Sequence, residues 1–166
     1  GKYPGLHVEL LLEEIFFPAC APHFNGGNLP KTPAELANFP LMRSDDQLWR
    51  QWFDAAGLTD WPEPTRGVLY QDSSNLLQGA LDGQGIALTR RALATQEIAA
   101  GRLVRLFDID GPSPWQYFFV CPPHLRHTAR VQAFHDWIFG EATRFRLLFE
   151  EVCAQTPRGT SGASST

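Results

Sequence analysis

The chain has 166 residues, a length for one domain or two small lobes, and its 43% apolar content is enough for a packed core, which excludes a disordered chain. Its 14 basic against 18 acidic residues leave a net charge of −4, so it carries no electrostatic footprint for nucleic acid, and any DNA contact has to come from another segment. No window reaches the length of a membrane helix, and the N-terminus GKYPGLHVELLLEEIFF, with two acids inside its apolar run, lacks the architecture of a signal peptide.

In chain order, Tyr3-Pro4-Gly5-Leu6 is a turn. Val8 to Leu12 leads through Glu13-Glu14 into Ile15–Ala19, an aromatic and β-branched strand ended by Pro18. His23 to Pro30 is loop. Thr32-Pro33-Ala34-Glu35 reads as a capping box opening a short helix, with Pro33 at its first position. Leu41-Met42 is a short strand, and Arg43-Ser44-Asp45-Asp46 a polar loop in which Ser44 or Asp45 caps the next helix. Leu48, Trp49, Trp52, Phe53 and Ala56 share one face of that helix, which Gly57 closes. Asp60 to Arg66 is a proline-rich loop, and Gly67 to Tyr70 a strand.

The stretch Asp72 to Leu88 is central. Asp72, Ser73 and Ser74 offer oxygens to the first free N–H groups of a helix, Leu76, Leu77, Ala80 and Leu81 give it an apolar face, and Gly83 suits the left-handed stop. Gly85-Ile86-Ala87-Leu88 follows as a buried strand, so the layers are α/β. Thr89-Arg90-Arg91 starts another helix that Ala100-Gly101 ends. Leu103 to Phe107 is a strand, Asp108 to Pro114 a loop, and Trp115 to Cys121 the longest aromatic strand. A last helix spans about Thr128 to Arg144, with Val131, Phe134, Trp137 and Ile138 facing inward. Residues from Thr156 are small and polar, as in a flexible tail.

The strands Ile15–Ala19 and Tyr117–Cys121 flank everything between them and read as crossings between two lobes. This divides the chain into 1–21, part of a first lobe and the first crossover; 22–114, a second α/β lobe; 115–145, the return crossover and a C-terminal helix of the first lobe; and 146–166, a flexible tail. The first lobe is too thin on these residues to fold alone, and there is no initiator Met, so the expectation is a piece of a longer protein.

Few motifs carry chemistry. Gly83-Gln84-Gly85 lies between helix and strand, the reverse of a nucleotide-binding loop, and there is no GxSxG, P-loop or HExxH. Cys121, His124 and His127 lack a second ligand cluster, so no metal and no cofactor are expected. Cys20, Cys121 and Cys153 are odd in number, without CxxC, and read as free thiols. No coherent acid–base pair supports an enzyme. Ser73 and Ser74 are explained as helix caps, and as hydroxyls at a helix N-terminus they also suit a carboxylate or amide ligand. Arg43, Ser44 and Asp46, after one strand end, and Thr89, Arg90 and Arg91, after another, are either loop and cap residues or cleft contacts. Tyr117, on the crossover strand, is either core or cleft.

The ordered set Tyr3-Pro4-Gly5-Leu6, Phe16 to Pro22, Thr32 to Ala37, Trp49 and Trp52, Asp72-Ser73-Ser74 with Ala80, Gly83 to Leu88, Gly101 to Val104, Tyr117 to Val120, and Val131, Phe134, Trp137 and Ile138 resembles the effector-binding domain of LysR-type transcriptional regulators. The nearest branch is the one that includes the glycine-cleavage activator and the β-lactamase regulator. The resemblance covers about residues 3 to 141. It implies a two-lobe α/β fold like that of periplasmic binding proteins, here with the second lobe complete and the first partial. It also implies a small-molecule effector in the interlobe cleft, DNA binding through an N-terminal helix-turn-helix absent from this sequence, a cytoplasmic homo-oligomer (dimer or tetramer), and no membrane. The effector contacts it implies are Ser73, Ser74, Tyr117, Arg43, Ser44 and, with them, Thr89. The alternative, a solute-binding protein of a transporter, shares the fold.

Overall fold

The computed structural model describes residues 3–155. Its organising element is β1, His7–Cys20, which is antiparallel to every strand it pairs with. The first part of β1, His7 to Phe16, pairs with β6, Gly111–Cys121. Its last part, Phe16 to Cys20, pairs with β4, Ala87–Arg90, and with β5, Val104–Arg105. Pro18 does not end the strand: its carbonyl still accepts from Leu106 N at 3.0 Å, and the run of buried side chains continues to Cys20.

The period-two alternation of a strand sends neighbouring β1 side chains to opposite faces. Phe16 and Cys20 enter an aromatic cluster with Trp49, Trp52 and Phe53 of α1, Trp49–Ala55. Phe17 and Ala19 enter a second cluster with Leu76 and Ala80 of α2, Ser73–Leu81, and Ala94 and Ile98 of α3, Arg91–Ala99. The two indoles are fully buried without an orphan donor: Trp49 Nε1 bonds the Met42 carbonyl at 2.8 Å and Trp52 Nε1 the Ile109 carbonyl at 3.0 Å.

The segment expected as a polar loop after Met42 is in part strand. Arg43–Ser44 form β2, parallel to β3, Leu69–Tyr70. Neither Ser44 nor Asp45 caps α1; the Glu63 carboxylate of the proline-rich loop accepts from Trp49 N at 3.2 Å and Arg50 N at 2.8 Å. The expected capping box at Thr32 is a 3-10 turn, Pro33–Asn38, in which Glu35 takes the Thr32 hydroxyl and Lys31 N instead of the N-cap N–H. Thr89 starts no helix; β4 runs through it, and α3 begins two residues later because Glu14 of β1 supplies the cap. β6 begins at Gly111, inside the expected loop.

After α2, Gly83 has φ +74°, the left-handed value its position requires. Gly85 admits the Pro40 carbonyl so closely that a Cβ would sit 2.8 Å from it. That approach allows Ile86 to bridge Leu41 and extends the β2 side of the molecule.

The last helix, α4, is longer than its apolar spacing predicts and runs Ala129–Gln155. Residues 146–155 are therefore helix, not tail; the rest of the expected tail, 156–166, lies outside the described residues. Phe134 and Trp137, expected to face inward, are 52% and 54% exposed, and Val131 and Ile138 are only half-buried. The spacing is helical, but among the described residues that face is only partly covered, with Phe119 of β6 meeting Phe134 at 6.3 Å. No described helix is long and apolar enough to cross a membrane.

Candidate functional site

The site is built outward from the start of α2. Asp72 has extended backbone angles, and its Oδ1 accepts from Ser74 N at 2.9 Å and Asn75 N at 3.0 Å, so the helix start is held by the residue at the N-cap. The two serines that follow have different fates. Ser73 is 7% exposed, and its hydroxyl is fully used: it donates to Gln47 Oε1 at 2.7 Å and accepts from Arg90 Nη2. Gln47 is itself buried, with its amide nitrogen on the Leu88 carbonyl and its oxygen also 3.3 Å from Arg90 Nε. Ser74, one residue on, is exposed.

Arg90 links this turn to the paired strands β1 and β6. The Tyr117 phenol of β6 faces both the Arg90 guanidinium and the Glu14 carboxylate. Glu14 is buried; its Oε1 accepts from Ile15 N at 3.0 Å, and both oxygens accept from Ala92 N at 3.3 Å. The free N–H groups at the start of α3 thus point at a carboxylate from β1, where the helix dipole favours negative charge. Burial pushes the Glu14 carboxyl above the ordinary carboxyl range, although the Ile15 and Ala92 N–H groups and the charges of Arg91 and Arg90 oppose it. Burial, then the facing Glu14, push the Tyr117 phenol up as well. Arg91 bonds the Glu13 carbonyl, and its Nε is buried without a hydrogen-bond partner.

Of the six residues read from the sequence, Ser73 and Tyr117 meet through Arg90, and Ser74 sits exposed on the same helical turn as Ser73. Arg43 lies elsewhere: its Nη1 donates to the Thr65 carbonyl at 3.2 Å and so engages the proline-rich loop. Ser44 is buried, accepting from Asp46 N at 3.2 Å. Thr89 is 2% exposed within β4, opposite Phe17. Sequence reasoning missed Gln47 and Glu14; it placed Arg90 among the residues after the Ile86–Leu88 strand that start a helix or line a cleft, without its link between Ser73 and Tyr117. The one signal was Glu13-Glu14 interrupting an apolar strand, since an acid on a buried strand face needs partners.

This arrangement holds polar groups; it is not set up to react. The Ser73 hydroxyl bonds an amide and a guanidinium, neither a base at neutral pH. Cys20 is buried, and burial pushes its thiol up to about 12, which leaves it without thiolate character. Among the described residues no group of three or more His, Cys, Asp and Glu is placed to hold a metal ion. Beside Tyr117, between α4 and the strands, runs an apolar groove of about 480 Å³.

Residues 2–143 match the model of the LysR substrate binding domain. The chain belongs to the LysR substrate-binding-domain family. It is 33% identical over 157 residues to the glycine cleavage system transcriptional activator of Escherichia coli K12, covering 91% of this chain and 51% of that protein. It is 31% identical over 141 residues to the transcriptional activator AmpR of Citrobacter koseri, covering 83% of this chain and 47% of that protein. The chain thus spans about half the length of the curated relatives it matches. Among solved structures it resembles the effector domain of the transcriptional regulator AmpR of Pseudomonas aeruginosa, with a TM-score of 0.68 and 28% identity over 89% of this chain and 72% of that one. The fold is accordingly the periplasmic-binding-protein-like α/β fold of LysR effector domains. These relatives are transcriptional regulators, not solute-binding proteins of transporters.

Proposed function

We propose that this chain is the effector-sensing domain of a LysR-type DNA-binding regulator of the cytoplasm. A small molecule binds the cleft at the start of α2, and its binding shifts the equilibrium between closures and so the grip of a homo-oligomer, dimer or tetramer, on DNA. The DNA contacts belong to a helix-turn-helix outside this chain, in keeping with its net charge of −4. The domain is a sensor without catalysis or cofactor.

The observation that carries this reading is the division of labour between the two serines. Ser73 is committed inward and locks Arg90, whereas the neighbouring Ser74 hydroxyl is exposed at a helix N-terminus. Ser74 and Tyr117 are therefore the effector contacts, Ser73 and Arg90 position them, and Arg43, Ser44 and Thr89 shape the surrounding walls. In a promoter-reporter strain carrying the full regulator, Ser74→Ala and Tyr117→Phe are each expected to blunt induction while operator binding in a gel-shift assay persists. Full induction in both variants would sink this site.

The division into 1–21, 22–114 and 115–145 as first-lobe part, second lobe and return belongs to the same proposal. It is supported by the long β1–β6 pairing from His7 to Phe16, by the location of both core clusters around the middle segment, and by the exposed side chains of Phe134 and Trp137 on α4.

A further inference from the structure

α4 is fastened at two places, and a groove lies beneath it between them. Toward its start, His135 Nε2 lies 3.2 Å from Glu9 Oε2 on β1, and its ring meets Phe119 of β6 edge-on at 5.1 Å. Arg126, just before the helix, ties the same Glu9 to Gln132. Toward its end, Phe149 is 6% exposed and sits in the second core cluster, its ring 5.6 Å from Phe17 and flanked by the guanidinium groups of Arg91 at 5.6 Å and Arg105 at 5.5 Å. Arg105 is held by Asp110 at 2.7 Å and the Phe107 carbonyl at 2.8 Å, and also donates to Cys153 Sγ at 3.6 Å.

Between the anchors lies the 480 Å³ groove, with Leu11, Leu12 and Tyr117 below and Phe145 and Leu148 above. The strands beneath it are irregular. The β1–β6 ladder shifts register between Leu10 and Leu12 and again between Glu13 and Ile15. Such bulges are where a strand pair bends, and unfilled space beside them leaves the bend room to change. β1 pairs with β6 on both sides of the bulges, as far as Phe16 opposite Gly111, and only beyond them does it also pair with β4 and β5.

We infer that α4 is a strap across a hinge in β1 and β6, latched by His135 on one side and by Phe149 with Cys153 on the other, and that it limits how far the two sides swing. The strap itself is independent of the sensor reading; only its consequence, a preset closure that an effector has to shift, rests on that reading.

Hydrogen exchange on the full regulator, with no ligand added, tests it. Phe149→Ala releases one latch and is expected to speed exchange at residues 10–16, at Ser113 and at Trp115 to Tyr117 by about tenfold, with α2 and β4 unchanged. Because that change also opens core space, a second variant works in the opposite direction: Ala142→Phe fills the groove and is expected to slow the same amides by about tenfold. Acceleration spread evenly over β1, β4 and α2 in Phe149→Ala makes Phe149 a plain core residue and overturns the strap. So does any failure of Ala142→Phe to slow the hinge. Neither result depends on Ser74 or Tyr117 contacting an effector, so the two readings fail separately.

Discussion

Ser73 and Ser74 are adjacent and chemically identical, yet their surroundings make them different residues. Replacing Ser73 by Ala leaves Gln47 and Arg90 without their shared hydroxyl inside the protein and is expected to cost about 1–3 kcal/mol. Ser74→Ala removes an exposed hydroxyl and is expected to stay within about 0.5 kcal/mol. Urea unfolding of both variants checks the contrast, and equal losses would contradict it. Glu14 makes a second prediction. Its carboxyl is raised in the folded chain by burial, so it binds its proton more tightly there than in the unfolded chain. At acid pH both states are protonated and nothing is lost; as pH climbs past the ordinary value of 4.5, the unfolded chain ionises first and the folded state loses stability up to the folded value. Glu14→Gln removes that loss. The difference in melting temperature between variant and parent should therefore move in the variant's favour as pH rises from about 4 to about 8. Glu9 is the opposite case. Burial pushes its carboxyl up, but His7 and His135, with Arg126, pull it below its ordinary value, so its contribution is lost as pH falls.

At the scale of elements, the helices divide by where their caps come from. α2 carries its own, at Asp72, and its start, apolar face and Gly83 stop were all legible as a string of residues. α1 and α3 borrow theirs. Leu48 and Arg90 stand at the two N-cap positions without a capping side chain, while Glu63 and Glu14 reach in from a loop and from β1. Glu63→Ala is expected to destabilise the chain by about 1 kcal/mol and to fray α1, which exchange at Trp49 and Arg50 N–H reports directly. An unchanged rate there would mean that the first turn holds without its borrowed cap. The same distinction explains the misplaced helix start at Thr89. A Thr before a helix is a good local cap, but a strand partner on β1 and a carboxylate 78 residues away displace that role.

At the scale of the whole molecule, the outer face of α4 is the unfinished part. Phe134 and Trp137 recur at helical spacing, as core residues do, and are half exposed among the described residues. The chain covers 72% of the solved AmpR effector domain it resembles, and under the proposed lobe division that face packs against more of the first lobe. A version of the chain extended upstream is therefore expected to blue-shift Trp137 fluorescence and protect it from acrylamide quenching. The other Trp residues would be replaced by Phe for the measurement. Unaltered quenching on extension would refute the assigned lobe boundary.

By itself the sequence determined the local devices and the family. Helix spacing, the Asp72 cap, the glycine stops and the ordered motifs from Tyr3 to Ile138 depend on residues within a few positions of one another, or on their order along the chain. Tertiary structure alone decided which serine is committed and which is exposed, that Glu14 and Arg90 converge on Tyr117 while Gln47 holds Ser73, and that α4 reaches the second core cluster through Phe149. Those outcomes depend on desolvation and on partners far apart in the chain, and a polar side chain is paired, buried or left open to a ligand only once β1 has brought the other elements to it.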